Sequence, residues 1–207
     1  MKIALICGSP RGQKSVSSGL LADLGLYLKD RAEVLPVALN GTEVSEETLQ
    51  LLAGADVWVV AAPLYFDALP GHLLYCLQQL EPLKKPERRV YGIMNCGFYE
   101  GIQTAPALKI LENFCRKADF HWCGGLGVGA GGSLKSLPDK NPEKGPKAPI
   151  NKQLRQLADA VLAGETFPNT YVSPAIPRRL YQAAAEFLWR RGIRKNGGRA
   201  RDLGRRP

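Results

Sequence analysis

Residues 8–18 read Gly8-Ser9-Pro10-Arg11-Gly12-Gln13-Lys14-Ser15-Val16-Ser17-Ser18 and gather four hydroxyls, two cations and two glycines. That set suits a phosphate monoester. Hydroxyls of Ser9, Ser15, Ser17 and Ser18 can donate hydrogen bonds, and the glycines let backbone N–H groups turn inward. Arg11 adds a charge-assisted bond. A helix beginning just after would offer its positive N-terminal end to the anion. A serine-capped turn needs one such hydroxyl, and four of them with two cations exceed that need.

Two kinds of phosphate compound compete for such a loop. Gly8-x4-Gln13-Lys14-Ser15 falls one residue short of the nucleotide-kinase phosphate loop. Gln13 stands where the second glycine would let the backbone wrap a β-phosphate. No acid closes the third apolar run, Val59-Val60-Ala61-Ala62-Pro63, to hold a magnesium ion. A P-loop nucleotide kinase therefore stays only as an alternative. The other candidate is a flavin mononucleotide, which needs a dianion site, a flat slot for a largely apolar ring, and backbone polar groups at the ring's edge.

The elements that must position this loop follow from hydrophobic spacing. Short apolar runs at residues 2–8, 33–39, 56–62, 89–96 and 120–128 alternate with helical patterns. Leu20, Leu21, Leu24 and Leu28 mark a helix over about 17–30, and Leu73, Leu74, Leu77 and Leu80 mark one over 70–80. Ser45 caps a short helix. Further helices follow over 104–118 and from Ile150 to Leu162. Alternation of this kind predicts an α/β three-layer sandwich, a five-stranded parallel sheet of order 2-1-3-4-5 with helices on both faces. Pro36 places the second strand at an edge. Ligands of such sheets sit beyond the C-terminal strand ends, which is where residues 8–18 fall. Residues 136–149, rich in proline and lysine, read as a mobile loop. Residues 1–166 form the expected domain, with a linker over 167–177 and a basic helical extension to 207.

Three segments together resemble the NADPH-dependent FMN reductase branch of the flavodoxin-like superfamily. The first is the Gly8-Ser9-Pro10-Arg11 loop with its Ser15-Val16-Ser17. The second is Ala62-Pro63-Leu64-Tyr65-Phe66-Asp67-Ala68-Leu69-Pro70-Gly71, after the third strand. The third is Asn95-Cys96-Gly97-Phe98-Tyr99-Glu100-Gly101, after the fourth. The resemblance covers roughly residues 1–165. It implies FMN as cofactor, held at its phosphate by Ser9, Pro10, Arg11, Ser15, Ser17 and Ser18. The ring would be bordered by Pro63, Leu64, Tyr65 and Phe66, and by Asn95, Cys96, Gly97, Phe98 and Tyr99. It further implies NADPH or NADH as electron donor, a small-molecule acceptor such as a flavin or quinone, and a homodimer. The hydride step asks for no side-chain acid or base, so no catalytic residue is named. A flavodoxin-type carrier that docks a redox partner is the second reading.

Five cysteines, Cys7, Cys76, Cys96, Cys115 and Cys123, stand singly in apolar segments. Their odd number and lack of a CxxC pair argue against disulfides, a zinc site or an iron–sulfur cluster, and fit a cytoplasmic protein. His72 and His121, the two histidines, read as structural. The glycines of residues 127–132 follow the last strand and lead into a proline-rich stretch, so they read as a turn near the ligand rather than a dinucleotide fingerprint. No apolar run reaches the roughly 18 residues that span a bilayer.

Charge is concentrated at one end. Residues 1–175 hold 18 Lys/Arg against 17 Asp/Glu, and residues 176–207 hold 10 against 2. In that tail Leu180, Ala184, Phe187, Leu188 and Arg191 lie along one side of a helix over 178–194. Such a helix could pack on its own domain or a dimer mate, or attach to an anionic membrane or nucleic acid. Residues 197–207 are expected to fray.

Overall fold

A computed structural model of the chain describes residues 1–137 and 142–204. Its sheet is parallel throughout, built from β1 (Lys2–Cys7), β2 (Glu33–Ala38), β3 (Val57–Pro63), β4 (Arg89–Asn95), β5 (His121–Val128) and β6 (Thr170–Val172). The strand order is β2-β1-β3-β4-β5-β6. The first five stand in the expected order, each within one or two residues of its sequence-based bounds. β2 is an edge strand, and its Pro36 sits opposite Leu5 of its single neighbour β1.

Alternation along the strands sorts side chains into two cores. Ile3, Leu5, Cys7, Val57, Val59 and Ala61 face one layer, while Ala4, Ile6, Trp58, Val60 and Ala62 face the other. Helices α1 (Val16–Leu28) and α6 (Ala148–Ala163) close the first face through Leu20, Leu24, Leu28, Leu154, Leu157 and Val161. The second face is covered by α2 (Glu46–Gly54), α3 (Gly71–Leu80) and α4 (Ala105–Lys117), with Leu52, Leu73, Leu77, Leu108 and Leu111 buried. Leu24 and Leu28 are completely shielded, a burial worth about 2 kcal/mol each.

The sixth strand corrects the five-stranded expectation. Residues 170–172, assigned from sequence to a linker, pair with β5 in the register Leu126↔Thr170, Gly127↔Tyr171 and Val128↔Val172. Prolines at 168 and 174 leave too short a run for alternation to show, yet Thr-Tyr-Val is itself strand-favouring. The approach depends on Gly124, whose φ is +102°: a β-carbon there would meet the Phe167 carbonyl oxygen at 1.6 Å. Phe167 N–H donates to the Cys123 carbonyl at 2.7 Å. Compact contacts consequently run to Pro174 rather than stopping at 166, giving one unit of Met1–Pro174 and a second of Ala175–Pro207.

Two further segments differ from expectation. Residues 127–132 do not lead straight into a loop, because Gly131–Leu134 forms a four-residue helix, α5, after the left-handed Ala130. Of residues 136–149, positions 138–141 lie outside the described residues. Positions 142–147 are turns and bends, and Ala148 and Pro149 already belong to α6. The second unit contains α7 (Arg178–Lys195) and a short 3-10 turn over Ala200–Gly204, where fraying was expected. Positions 205–207 of that expectation lie outside the described residues.

Candidate functional site

The C-terminal ends of the strands are tied to one another before any ligand is considered. Gly8 N–H donates to the Ala61 carbonyl (2.8 Å), Leu64 N–H to Asn95 (2.7 Å), and Cys96 N–H to Val128 (3.0 Å). The loops that leave β1, β3, β4 and β5 therefore start from a common level. They enclose a cavity of about 440 Å³, within the size range of small-ligand sites.

The first loop enters it through Ser9, Arg11, Lys14, Ser15, Val16 and Ser17. It turns tightly, with Gly12 N–H bonded to the Ser9 carbonyl at 3.0 Å and Gly12 itself left-handed at φ 51°. A 3-10 turn over Gly12–Lys14 then delivers Ser15, the N-cap of α1, whose Oγ accepts from Ser18 N–H at 3.0 Å. Gly19 N–H takes the Ser15 carbonyl. The amides of Val16 and Ser17 are first-turn donors that the helix has no carbonyl to satisfy, and both residues line the cavity. Beside them stand the guanidinium of Arg11 and the ammonium of Lys14. None of the residues lining the cavity is acidic.

Ser17 has a second task. Its hydroxyl donates to Asn95 Oδ1 at 2.7 Å, which fixes the start of α1 to the end of β4. Both side chains are buried. Ser15 Oγ also lies 3.5 Å from Cys7 Sγ. The hydroxyls that sequence grouped as anion donors thus divide. Ser9 and Ser15 line the cavity, Ser17 lines it while holding Asn95, and Ser18 lines a separate apolar groove between α1 and β2. Pro10 is exposed and does not line the cavity.

The second loop contributes Pro63, Leu64 and Tyr65. Tyr65 and Ala68 exchange backbone hydrogen bonds at 2.9 and 3.0 Å across a two-residue turn. Its central residues, Phe66 (φ 48°) and Asp67 (φ 58°), are both left-handed, the geometry of a type I′ hairpin turn. Phe66 is fully exposed at the tip and is not among the lining residues. The third loop contributes Asn95, Cys96 and Gly97. Phe98 is exposed beyond it, and the Tyr99 carbonyl is held by the Ser173 hydroxyl at 2.6 Å. Burial pushes the Cys96 thiol above its ordinary pKa, so it stays protonated at neutral pH.

A fourth loop, expected from sequence only as a turn near the ligand, also supplies lining residues. Gly131, Gly132, Lys135 and Ser136 line the same cavity. Lys135 Nζ donates to the Lys14 carbonyl, joining residues 121 positions apart and adding a third cation. Two of the glycines there are steric necessities, since a β-carbon on Gly129 would meet the Tyr99 carbonyl oxygen at 2.0 Å and one on Gly131 the Cys96 carbonyl oxygen at 2.9 Å, whereas Gly132 has open space. The glycine run of residues 127–132 was the available signal, and its role is close approach to the loop after β4. Neither histidine lines the cavity. His72 Nε2 bonds the Leu39 carbonyl at 3.0 Å, and His121 starts β5 with an exposed side chain. Among the described residues, no group of three or more His, Cys, Asp or Glu could hold a metal ion.

No family model matches the chain. No curated protein matches it in sequence. Solved structures do resemble it. An NADH:FMN oxidoreductase in its apo form aligns with TM-score 0.62 and 16% identity, over 80% of this chain and 90% of that one. A flavodoxin of Streptococcus pneumonia TIGR4 aligns with TM-score 0.57 and 14% identity, over 79% and 99%. Rubredoxin oxygen:oxidoreductase of Desulfovibrio gigas aligns with TM-score 0.56 and 13% identity, over 79% of this chain. There the chain spans only 35% of the larger protein's length. The fold is flavodoxin-like.

Proposed function

We propose that this chain is an FMN-dependent oxidoreductase that draws on NADPH or NADH and reduces a small acceptor such as a flavin or quinone. The observation that carries this reading is the content of one cavity. Arg11, Lys14 and Lys135, the hydroxyls of Ser9 and Ser15, and the opening amides of α1 share it with Leu64, Tyr65 and the backbone of Gly97. The cationic set fits a phosphate dianion, and the apolar and aromatic set fits one edge and face of a flat ring. FMN combines those two groups in one molecule, and when bound it supplies the hydride chemistry.

The chain's own residues bind and orient. Arg11 and Lys14 neutralise the phosphate, while Ser15 both caps α1 and turns its first amides toward the anion. The Ser17–Asn95 bond holds that helix end at a fixed distance from the loop after β4. Leu64 and Tyr65 exclude water from the ring face. Gly97 lets backbone approach the ring edge without a side chain between. Cys96, kept as a neutral thiol, contributes volume rather than a nucleophile.

Support for FMN over a nucleoside triphosphate comes from the loop itself. Gln13 occupies an exposed position in a 3-10 turn rather than an extended wrap around a second phosphate, and β3 ends in Pro63 without an acid. A carrier that docks a redox protein remains the rival with the same fold. Stopped-flow mixing of the holoprotein with NADPH under nitrogen tests the choice. Direct bleaching of the flavin supports the enzyme, and bleaching only through an added reductase overturns it in favour of the carrier. The five unpaired cysteines fit residence in the reducing cytoplasm, and the family resemblance supports a homodimer, measurable by sedimentation.

A further inference from the structure

The second unit carries a surface that the cofactor reading does not use. Helix α7 has 18 residues and none is buried. Leu180, Phe187, Leu188 and Trp189 are between 59% and 70% exposed, an unusual display of large apolar side chains on one helix. Leu180, Ala184, Phe187 and Leu188 recur at the spacing of a single helical stripe, while Trp189 falls on the opposite side of the helix from Leu180. Arg179 and Arg190 share a separate polar stripe with Glu186, which pairs with Arg190, and Arg194 flanks the apolar stripe beside Phe187. Arg191 and Lys195 lie on the apolar side of the last turn, where long stems can follow an apolar surface while their charges reach water.

We propose that α7 lies in the headgroup layer of a bilayer containing anionic lipid, its Leu180–Ala184–Phe187–Leu188 stripe turned toward the acyl chains. Charge and apolar exposure select that occupant together. Ten Lys/Arg against two Asp/Glu in residues 176–207 attract a negative surface. A nucleic acid would satisfy the arginines but gives Leu180, Phe187 and Leu188 nowhere to bury. A second copy would bury them only by bringing two strongly positive tails together. No helix among the described residues is long and apolar enough to cross a membrane, so the helix rests in the interface plane. This surface would serve any redox or non-redox domain and stands apart from the FMN reading.

The test is sedimentation of the full chain with vesicles of phosphatidylglycerol and phosphatidylcholine, beside vesicles of phosphatidylcholine alone. The expected result is binding to the anionic vesicles only, weakened by salt. Phe187→Glu with Leu188→Glu, and separately Arg190→Gln with Arg191→Gln and Arg194→Gln, should each lower the vesicle partition coefficient at least tenfold. Because none of these side chains is buried, the melting of the first unit should not move. Failure of the wild-type chain to sediment with anionic vesicles overturns the proposal. So does retention of vesicle binding by the Phe187/Leu188 variant. Tighter binding of duplex DNA than of vesicles, indifferent to Phe187 and Leu188, would reassign the helix to nucleic acid. A dimer that dissociates in the Phe187/Leu188 variant, with no vesicle binding by wild type, would reassign it to a second copy.

Discussion

Ser17 and Asn95, 78 positions apart, are joined by a 2.7 Å hydrogen bond between two buried side chains, and that bond couples the start of α1 to the tip of β4. Removing the donor leaves a buried amide oxygen without a partner. Ser17→Ala should cost about 1–2 kcal/mol. For a chain of this size that is a fall in Tm of roughly 3–6 °C. Thermal melts of Ser17→Ala, Asn95→Ala and the double variant check it. The double variant should be less destabilised than the sum of the singles, and strict additivity would show that the bond carries no energy.

In the proposed site, Arg11 and Ser15 would address the phosphate differently. Ser15 is the N-cap of α1, so Ser15→Ala should cost about 1 kcal/mol of stability as well as affinity. Arg11 is exposed and should cost affinity alone. The double replacement should weaken FMN binding well over tenfold, a loss much larger than its effect on folding. Fluorescence titration of the apoprotein with FMN, set beside a urea melt, compares the two. Equal FMN affinity in wild type and double variant would remove this loop from the site.

Lys135 reaches the first loop from beyond β5 by bonding the Lys14 carbonyl. If its charge serves the phosphate, Lys135→Met should lower FMN affinity severalfold while leaving riboflavin affinity unchanged, because riboflavin lacks the ester. Parallel titrations with the two flavins measure this. Equal losses for both would mean that Lys135 only braces the loop.

Phe66 holds a left-handed backbone conformation at a fully exposed tip, which for a bulky residue stores about 1 kcal/mol or more. Phe66→Asn, a residue that tolerates this conformation, should raise Tm by a few degrees. Differential scanning calorimetry reads it. A lower Tm would show that the ring has packing that compensates the strain.

The layered fold was legible because burial on both faces produces continuous apolar runs such as Val57–Pro63, and amphipathic helices between them show their period. β6 was hidden by its length of three residues between prolines. Within the site, the chemical types in residues 8–18 pointed to a loop that does line the cavity, and the loops after β3 and β4 fell where the topology requires. Which hydroxyl faces where was not legible. Ser17 is engaged by a residue 78 positions away, and Ser18 turns into the groove beside β2. Lys135 lay beyond reach for the same reason, since its partner depends on how α5 follows the left-handed Ala130. Arg88 gave no sign of burial within Lys84-Lys85-Pro86-Glu87-Arg88-Arg89. Its guanidinium nevertheless bonds the Ala53, Leu83 and Ala55 carbonyls and stacks 4.6 Å from the Trp58 ring.

The absorption spectrum of the purified chain, reconstituted with FMN and then mixed anaerobically with NADPH, tests the central claim most directly. The account predicts one flavin bound per chain, released on heating as FMN, and loss of its visible band on mixing with NADPH alone. A chain that takes up no FMN from excess, or binds it only when Arg11 and Ser15 are irrelevant to the affinity, would contradict it.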